Sequence, residues 1–276
     1  MIRENFKILL SNFNVYIKDK LLLIKHYKSY KLVPIKSFHD DIYLVSYPRS
    51  GSMWLTFIVA NILLKINKVD RKVNWFNVHH IVPDIENGRD ISNLSNLYGF
   101  RVIKSHSLYN PFYKSVIYLV RNPEDVMVSY YKFLLKLNKS YNDEISNFIR
   151  SKEFGIKKWV DHVNGWLDSY NNPALGIVIL KYEDLTNDLP AQINKLCSYF
   201  GFSLPEKDVE YIASQCSFSN MKKMNLELTQ DGRPLPSGFD HLRNIDKKLS
   251  DIQISKEDKD YIKKVSVNIM NKFNYS

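Results

Sequence analysis

The stretch from residue 42 to residue 65, IYLVSYPRSGSMWLTFIVANILLK, constrains the fold more than any other part of the chain. Its first four residues are apolar and include β-branched side chains, as in a buried parallel strand. After a polar turn, apolar residues recur at three- and four-residue steps, which predicts a helix. Gly51 in the turn lets the backbone approach an anion, and the N-terminus of the following helix favours negative charge. The pattern therefore predicts a strand, a phosphate-sized loop and a helix.

The loop differs from the nucleotide-binding sequence GxxxxGK[ST], because Ser52 rather than a lysine follows Gly51. Its cation, Arg49, lies two residues before the glycine instead. This departure argues against a nucleotide kinase, which needs the lysine and the hydroxyl to hold phosphate and Mg²⁺. An ordinary turn that carries an arginine and two serines is the alternative for this loop taken alone.

Three stretches together carry a resemblance to a known family. SYPRSGSMW (46–54) resembles the 5′-phosphosulfate loop of the cytosolic sulfotransferases, usually TYPKSGTTW, and VIYLVRNPEDVMVSYYKF (116–133) resembles their 3′-phosphate segment. Between them, VIKSHS (102–107) is similar to the family strand that ends in KTH. On these matches the chain is identified as a member of the PAPS-dependent sulfotransferase family, and weaker similarity runs from about residue 40 to about residue 225.

The resemblance implies an α/β fold like that of P-loop NTPases, with a central parallel sheet and helices on both faces. The chain divides into a basic arm, 1–36, and a sulfotransferase domain, 37–276. The chain has 276 residues, of which 45% are hydrophobic, and this is enough to form one substantial core. Besides the strand at 42–45, apolar runs predict strands at 100–104, 116–120 and 176–180, and helices are predicted at 187–200 and 206–214.

The resemblance also implies the donor and the residues that bind it. The donor is 3′-phosphoadenosine 5′-phosphosulfate (PAPS), and the product is adenosine 3′,5′-bisphosphate (PAP). His106 corresponds to the family's base, which takes the proton of the acceptor, and Lys104 and Arg49 stabilise charge on the transferred group. The donor-binding residues carried over are Arg49, Ser50, Gly51, Ser52, Met53 and Trp54 in the loop, and Arg121, Ser129, Tyr182, Ser217, Phe218, Met221 and Arg243 beyond it.

The chain departs from the family pattern in its donor site. The family's RKGxxGxWK clamp corresponds to HLRNIDKKLSD (241–251), which lacks both glycines and the tryptophan, so Arg243 is the candidate for the first arginine. Arg49 replaces the usual lysine, which keeps the charge but changes its shape. Met53 replaces a threonine and removes a hydroxyl donor. A noncatalytic homologue that binds adenosine bisphosphate is therefore kept as an alternative, beside a nucleotide-dependent kinase.

The net charge of +10 favours anionic ligands. Nucleic acid is not an expected partner, because no motif of a known nucleic-acid module is present. Residues 1–36 hold eight Lys or Arg against two acids. This arm is either an amphipathic segment that touches an anionic membrane or a helix packed on the domain edge with solvated lysines. The sparing use of cysteine, Cys197 and Cys216 only, fits the predicted cytoplasmic location.

The remaining polar features are less specific. The adjacent His79 and His80 point in different directions, so no metal site is expected. His162 is predicted to be a hydrogen-bonded core residue rather than a second base. The polar segment 138–155 is expected to cover the acceptor as a mobile segment, and VPDIE (82–86) resembles an acceptor-facing loop. The acceptor is predicted to be a hydroxyl or amine of a glycan or small molecule, and the sequence does not specify the oligomeric state.

Overall fold

A computed structural model gives the fold of the chain. It describes residues 40–85, 100–137, 141, 143–170, 175–230 and 252–275, and the side chains of all of these except 225–230. The predicted basic arm and the whole clamp stretch, 241–251 with Arg243, lie outside the described residues.

Four parallel strands form the sheet in the order β2-β1-β3-β4, which confirms the predicted parallel sheet. The strands are β1 (Ile42–Ser46), β2 (Val102–Ser105), β3 (Ser115–Val120) and β4 (Gly176–Lys181). Each lies within two residues of its predicted bounds. β1 is paired on both sides, with Ile42 opposite Val102 of β2 and Ser115 of β3. The strand that precedes the glycine loop therefore lies inside the sheet.

The described part of the chain contains ten helices, and none of them is long and apolar enough to cross a lipid bilayer. They are α1 (Ser52–Ile66), α2 (Val78–Ile81), α3 (Pro123–Leu137), α4 (Ile145–Arg150), α5 (Ile156–Asp168), α6 (Tyr182–Asn187), α7 (Leu189–Tyr199), α8 (Glu206–Gln215), α9 (Phe218–Gln230) and α10 (Lys256–Phe273).

The sheet separates two hydrophobic cores. Alternate strand residues point to opposite faces, so Leu44 packs in one core while Tyr43 and Val45 pack in the other. The first core contains residues of α1, α7 and α8, and the second contains residues of α3, α4, α5 and α10. Burial on both faces explains why the strands are nearly continuous apolar runs. The predicted fold class, a parallel sheet with helices on both faces, is confirmed.

The sequence NPED (122–125) predicts a helix start, with a cap, a proline in the first turn and acids near the positive dipole end, and the helix that follows β3 begins there. The side-chain Oδ1 of Asn122 accepts a hydrogen bond from the backbone N–H of Glu124 at 2.9 Å, and Pro123 is the first helical residue. Glu124 and Asp125 occupy the first turn, near the positive end of the helix dipole. This local chemistry fixes where β3 ends and α3 starts.

The prediction of a mobile cover at 138–155 is wrong for its second half, which contains α4. Phe148 and Ile149 of this helix are fully buried in the second core. The ring of Phe148 packs edge-on against Tyr130 of α3, with 5.7 Å between ring centroids. Phe154 of the same stretch is also buried in this core, and so short an apolar pattern in a polar stretch is not recognised without the surrounding helices.

β4 is the last strand of the described sheet, and its outer side carries a lysine. Lys195 of α7 donates a hydrogen bond from its Nζ to the backbone carbonyl of Ile179 at 2.8 Å. At the start of the same strand, the hydroxyl of Tyr199 donates to the carbonyl of Gly176 at 2.7 Å. Helix α7 therefore contacts the backbone of β4 at two places through polar groups.

A buried carboxylate ties α10 to α4. Asp258 accepts hydrogen bonds from the hydroxyls of Ser255 and Ser146, at 2.8 and 2.9 Å, and forms an ion pair with Arg150. Its backbone N–H donates in turn to Ser255, which caps the helix. Burial raises the pKa of Asp258, but the hydrogen bonds from Arg150 and the two serines outweigh burial and hold this pKa below its ordinary value.

We expect Asp258→Asn to lower the free energy of unfolding by about 2–3 kcal/mol at neutral pH, because it removes the close, buried partner of the Arg150 charge and leaves Arg150 with the exposed carboxylate of Glu257 at 4.0 Å. The depressed pKa means that the stabilisation is present above the unfolded-state pKa of about 4 and is lost as pH falls below it. Urea unfolding at pH 7 and pH 3 measures both effects.

The matched control is the neighbouring Glu257→Gln, since the Glu257 side chain is 91% exposed. It should change stability by less than about 0.5 kcal/mol. Equal effects of the two substitutions, or a loss in Asp258→Asn that does not shrink at low pH, would contradict the role of the buried carboxylate.

Candidate functional site

Each strand of the sheet leads into a residue of the predicted site. Arg49 lies in the loop after β1, His106 directly after β2, Arg121 directly after β3 and Tyr182 directly after β4. The carboxyl ends of parallel strands meet at one edge, where open α/β sheets bind ligands. All four residues line one cavity of about 590 Å³, a volume suited to a nucleotide-sized ligand.

Most of the residues predicted for the site line this cavity, and two of the described ones do not. Ser50 lies in the loop but does not line the cavity, Lys104 lies outside it and Arg243 falls outside the described residues. Those brought together are Arg49, Gly51, Ser52, Met53, Trp54, His106, Arg121, Ser129, Tyr182, Ser217, Phe218 and Met221.

The loop after β1 depends on a glycine. Gly51 has φ +97°, in the left-handed region, and a Cβ at this position would lie 2.5 and 2.6 Å from Cδ2 and Cε2 of Tyr182. Arg49 also has a left-handed backbone, with φ 69°. Between them, the hydroxyl oxygen of Ser50 is buried and has no hydrogen-bond partner in the described structure. A buried polar atom of this kind suits a ligand that brings its own hydrogen-bonding groups.

The helix that follows the loop adds donors to the same place. Gly51 is the N-cap of α1, and no side chain caps it. The first backbone N–H groups of a helix have no intrahelical acceptors and carry the positive end of the dipole. Ser52, Met53 and Trp54 supply these groups and line the cavity. Met53 can therefore donate through its backbone although it lacks the hydroxyl of the usual threonine.

Arg49 is held between two side chains of α3. Its Nε donates to the hydroxyl of Ser129 at 3.4 Å, and its guanidinium lies 4.7 Å from the ring centroid of Phe133. Ser129 thus bonds to the loop arginine rather than only within its own helix. Phe133 was not singled out from the sequence, although it lies one helical turn after Ser129.

Arg121 stacks on the aromatic ring that follows β4. Its guanidinium carbon lies 4.3 Å from the ring centroid of Tyr182, and Nη1 donates to the backbone carbonyl of Arg49 at 3.4 Å. Its Nε is buried and has no hydrogen-bond partner. Two guanidiniums therefore meet at the glycine loop, and such groups bind phosphate through paired hydrogen bonds.

Aromatic side chains form another wall of the cavity. The indole of Trp54 donates from Nε1 to the carbonyl of Cys216 at 2.7 Å, which fixes its plane, and it meets the Tyr182 ring edge-on at 5.6 Å. Phe218 is 72% exposed and Met221 is buried. An apolar wall beside two guanidiniums fits a ligand with one aromatic and one anionic part, such as a nucleotide.

The geometry of His106 defines which of its nitrogens is basic. Nδ1 lies 2.7 Å from the backbone carbonyl of Ser46, and a carbonyl only accepts hydrogen bonds. Nδ1 therefore carries the proton in the neutral ring, so Nε2 is the nitrogen that accepts one. The ring is largely buried and lines the cavity. These properties suit a general base that works on a bound ligand.

A second histidine supports His106 from the core. The Nε2 of His162 donates to the backbone carbonyl of His106 at 3.2 Å, and the hydroxyl of Tyr118 lies 2.9 Å from its Nδ1. Burial lowers the pKa of His162 to about 4, so the ring is neutral near pH 7. The prediction that His162 is a hydrogen-bonded core residue is confirmed.

Lys104 is bound by a carboxylate at the sheet edge. Its Nζ lies 2.6 Å from Oδ2 of Asp84, and both side chains are at most 7% exposed. The backbone N–H of Lys104 donates to the carbonyl of Pro83 at 2.8 Å, so this segment runs beside β2. The sequence did not reveal the pair, because an aspartate in an irregular stretch does not indicate which strand it will lie against.

The remaining polar groups are engaged locally. His79 lies 3.3 Å from the carbonyl of Val82 through its Nδ1, and the hydroxyl of Ser217 donates to the carbonyl of Ser214 at 2.8 Å. Cys197 and Cys216 are both buried and free. Burial raises the pKa of Cys216 to about 12, so this thiol is not a nucleophile. Within the described residues, no three His, Cys, Asp or Glu side chains form a metal-sized group.

A parallel sheet with a glycine loop after its first strand, two convergent guanidiniums and an aromatic wall defines a protein that binds a phosphate-bearing ligand. The sequence model of the sulfotransferase domain matches residues 39–247, which is most of the chain. The chain therefore belongs to the sulfotransferase domain family, and the predicted enzyme class, a PAPS-dependent sulfotransferase, is confirmed at the level of the family.

Curated relatives agree with this assignment. The chain is 31% identical over 195 residues to the amine sulfotransferase of Oryctolagus cuniculus, covering 66% of this chain and 63% of that protein. It is 32% identical over 202 residues to sulfotransferase 2A1 of Mus musculus, covering 68% of each. The chain thus matches about two thirds of the length of these relatives.

Solved structures share the fold. Mouse sulfotransferase SULT7A1, solved in complex with PAP, has a TM-score of 0.60 at 21% identity and covers 90% of this chain and 89% of its own. Retinol dehydratase, solved with androsterone and the inactive cofactor PAP, has a TM-score of 0.59 at 17% identity and covers 90% and 85%.

We expect Gly51→Ala to destabilise the protein more than Gly201→Ala. Both glycines have left-handed φ values, but nothing lies within 4 Å of a Cβ on Gly201, whereas one on Gly51 overlaps Tyr182. The backbone strain should cost each variant about 1–2 kcal/mol, and the overlap should cost Gly51→Ala about 1–3 kcal/mol more. Urea unfolding of the two variants checks this, and equal losses would contradict a tight contact with Tyr182.

We expect Asp84→Ala to lower the free energy of unfolding by about 3–5 kcal/mol, because it leaves the buried Lys104 ammonium unpaired. The double substitution Asp84→Leu with Lys104→Met replaces the whole ion pair by apolar groups and should cost much less. Chemical unfolding of the two proteins measures the difference. A double variant as unstable as Asp84→Ala would show that the charge pairing is not the cause.

Proposed function

We propose that this protein transfers the sulfuryl group of PAPS in line to a hydroxyl or amine of a small-molecule or glycan acceptor. The observation that carries the proposal is the convergence of Arg49, His106 and Arg121 on one cavity, at the ends of three neighbouring strands. Membership of the sulfotransferase family and the PAP held by SULT7A1 support PAPS as the donor.

Different walls of the cavity bind the anionic and the aromatic parts of the donor. Arg121 and Ser129 bind the 3′-phosphate, while Arg49 and the backbone N–H groups at the start of α1 bind the 5′-phosphosulfate. Trp54 and Tyr182 contact the adenine. The Nε of Arg121 is buried without a hydrogen-bond partner and belongs to a residue that lines the cavity, so it is a donor that a phosphate oxygen would satisfy. The residues present therefore fit the donor.

Bound PAPS supplies an activated sulfuryl group on a phosphate leaving group. His106 accepts the acceptor's proton at Nε2, while its Nδ1–H remains bonded to the Ser46 carbonyl. That carbonyl also stabilises the imidazolium, since both ring nitrogens then donate. His162 keeps the His106 backbone in place through a bond that carries no charge. Arg49 offsets negative charge on the transferred group.

The assignment of Lys104 to charge on the transferred group stays a prediction. Its ammonium is bonded to Asp84 and does not line the cavity. This pairing is the observation that favours the alternative function, a homologue that binds adenosine bisphosphate without catalysis. The two functions differ in one outcome, because both predict PAP binding and only the first predicts transfer to an acceptor.

The names of the relatives support a small-molecule acceptor as a broad class. One relative is an amine sulfotransferase, and retinol dehydratase has been solved with retinol and with androsterone. These names favour small-molecule acceptors for this chain. A glycan acceptor, a cytoplasmic location and peripheral membrane contact through residues 1–36 stay predictions.

Transfer from labelled PAPS to a panel of amines, alcohols, phenols and glycans tests the proposal. We expect His106→Ala to lower the transfer rate by about 10²- to 10⁴-fold, as for loss of a general base, while PAP affinity measured by calorimetry changes little. His80→Ala is the matched control, because His80 is exposed and does not line the cavity.

Equal transfer by wild type and His106→Ala would show that His106 is not the base. PAP binding without transfer to any acceptor of the panel would favour the noncatalytic homologue. Absence of PAP binding by the wild-type protein would refute both functions.

A further inference from the structure

The guanidinium of Arg121 has more N–H donors than there are acceptors close to it. Its Nη2 reaches Asp125 at 3.3 Å and its Nη1 reaches the Arg49 carbonyl at 3.4 Å, both beyond the usual N–H···O range. Its Nε has no partner, and the guanidinium lies over the Tyr182 ring. A guanidinium bonded this weakly can turn its donors to an anion.

A carboxylate is held beside the residue that follows Arg121. Glu183 lies in the first turn of α6, directly after Tyr182. Its Oε1 accepts a hydrogen bond from the backbone N–H of Asn122 at 2.9 Å, and Asn122 is the residue after Arg121. If Glu183 turned toward the guanidinium, the two groups would form an ion pair and occupy the donors that a phosphate needs.

Tyr275 holds the second oxygen of this carboxylate. Its hydroxyl donates to Oε2 of Glu183 at 3.0 Å, and the ring is buried. Burial raises the pKa of Tyr275 far above its ordinary value, and the charge of Glu183 raises it further. The hydroxyl therefore stays protonated and acts as a hydrogen-bond donor to Glu183.

The contacts of α10 with β4 fix the position of Tyr275. The helix ends at Phe273, its C-cap Asn274 has a left-handed φ of 54°, and the Tyr275 N–H donates to the Met270 carbonyl at 2.9 Å. Lys181, the last residue of β4, donates from Nζ to the Phe273 carbonyl at 2.7 Å and lies 4.9 Å from the centroid of the Tyr275 ring. These contacts hold the phenol beside the end of β4.

We propose that Tyr275 is a positioning residue of the nucleotide site. Its hydroxyl and the Asn122 N–H hold both oxygens of Glu183, which keeps this carboxylate from pairing with Arg121 and leaves Arg121 to the 3′-phosphate. The inference rests on the proposed function, because it concerns the 3′-phosphate of PAPS and PAP. Neither Tyr275 nor Glu183 was among the site residues predicted from the sequence.

The test compares two nucleotides that differ only in the 3′-phosphate. Tyr275→Phe keeps the ring and removes the hydroxyl, which releases one oxygen of Glu183. We expect calorimetry to show affinity for PAP about tenfold weaker, the effect of roughly one hydrogen bond, and affinity for adenosine 5′-monophosphate unchanged within about twofold. A purely structural role of Tyr275 would weaken both nucleotides alike.

A double-mutant cycle tests the route through Glu183. Glu183→Gln removes the charge that competes for Arg121 while its amide can still bond to Asn122 and Tyr275. In that background Tyr275→Phe should no longer weaken PAP binding, because no carboxylate is left to release. Losses that simply add in the double variant would overturn the proposal.

The matched control is Tyr199→Phe, which also removes a phenol hydroxyl bonded at 2.7 Å, here to Gly176 at the opposite end of β4. It should leave both nucleotide affinities unchanged. Wild-type protein that fails to bind PAP would refute the proposed function itself. Wild-type protein that binds PAP while Tyr275→Phe binds it equally well would refute only the role of Tyr275.

Discussion

The close contact between Gly51 and Tyr182 is the constraint on which the site depends. Gly51 follows β1 and Tyr182 follows β4, and these strands are not neighbours, because β3 lies between them. The contact leaves no room for a Cβ on Gly51 and brings the loop against the ring on which Arg121 stacks. One missing side chain thus lets residues from three strand ends meet, and the positive end of α1 faces the same point.

The two guanidiniums of the site make longer contacts than the buried cations Arg101 and Lys104 do. Arg101 forms a bidentate ion pair with Asp41, at 2.6 and 2.7 Å, and this buried pair joins the residue before β2 to the residue before β1. Lys104 is likewise bonded to Asp84. Arg49 and Arg121, in contrast, contact hydroxyl, carbonyl and aromatic groups at longer distances, and Arg121 reaches the exposed carboxylate of Asp125 at 3.3 Å. A guanidinium with long contacts of this kind keeps more of its electrostatic attraction for an anionic ligand than one in a close, buried ion pair.

The sequence predicted the parts of the structure that local patterns determine. The strands, the glycine loop and the cap at Asn122 depend on neighbours a few residues away, so their bounds were close to those observed. Helix α10 was not predicted, although Ser255 and Asp258 carry the spacing of a capping pair. The sequence predicts a mobile cover where α4 lies, because the burial of Phe148 and Ile149 depends on the helices that pack around them.

The contacts missing from the prediction join residues far apart in the sequence. Asp84 meets Lys104 across 20 residues, and Glu183 meets Tyr275 across 92. The local sequence around each carboxylate does not indicate which residue it will bond to. The partner is determined by which helices and strands pack against each other. The base and the loop could be found by resemblance because their own neighbours are distinctive. The groups that hold them in place could not be found in this way.

The lysine on the outer side of β4 has a consequence for association between molecules. An unpaired strand edge is a template to which another chain can add its own strand, and aggregation begins in this way. At this edge, an incoming strand would have to displace the Lys195 ammonium from the Ile179 carbonyl and strip it of water. The charge therefore disfavours continuation of the sheet into a second molecule by way of β4.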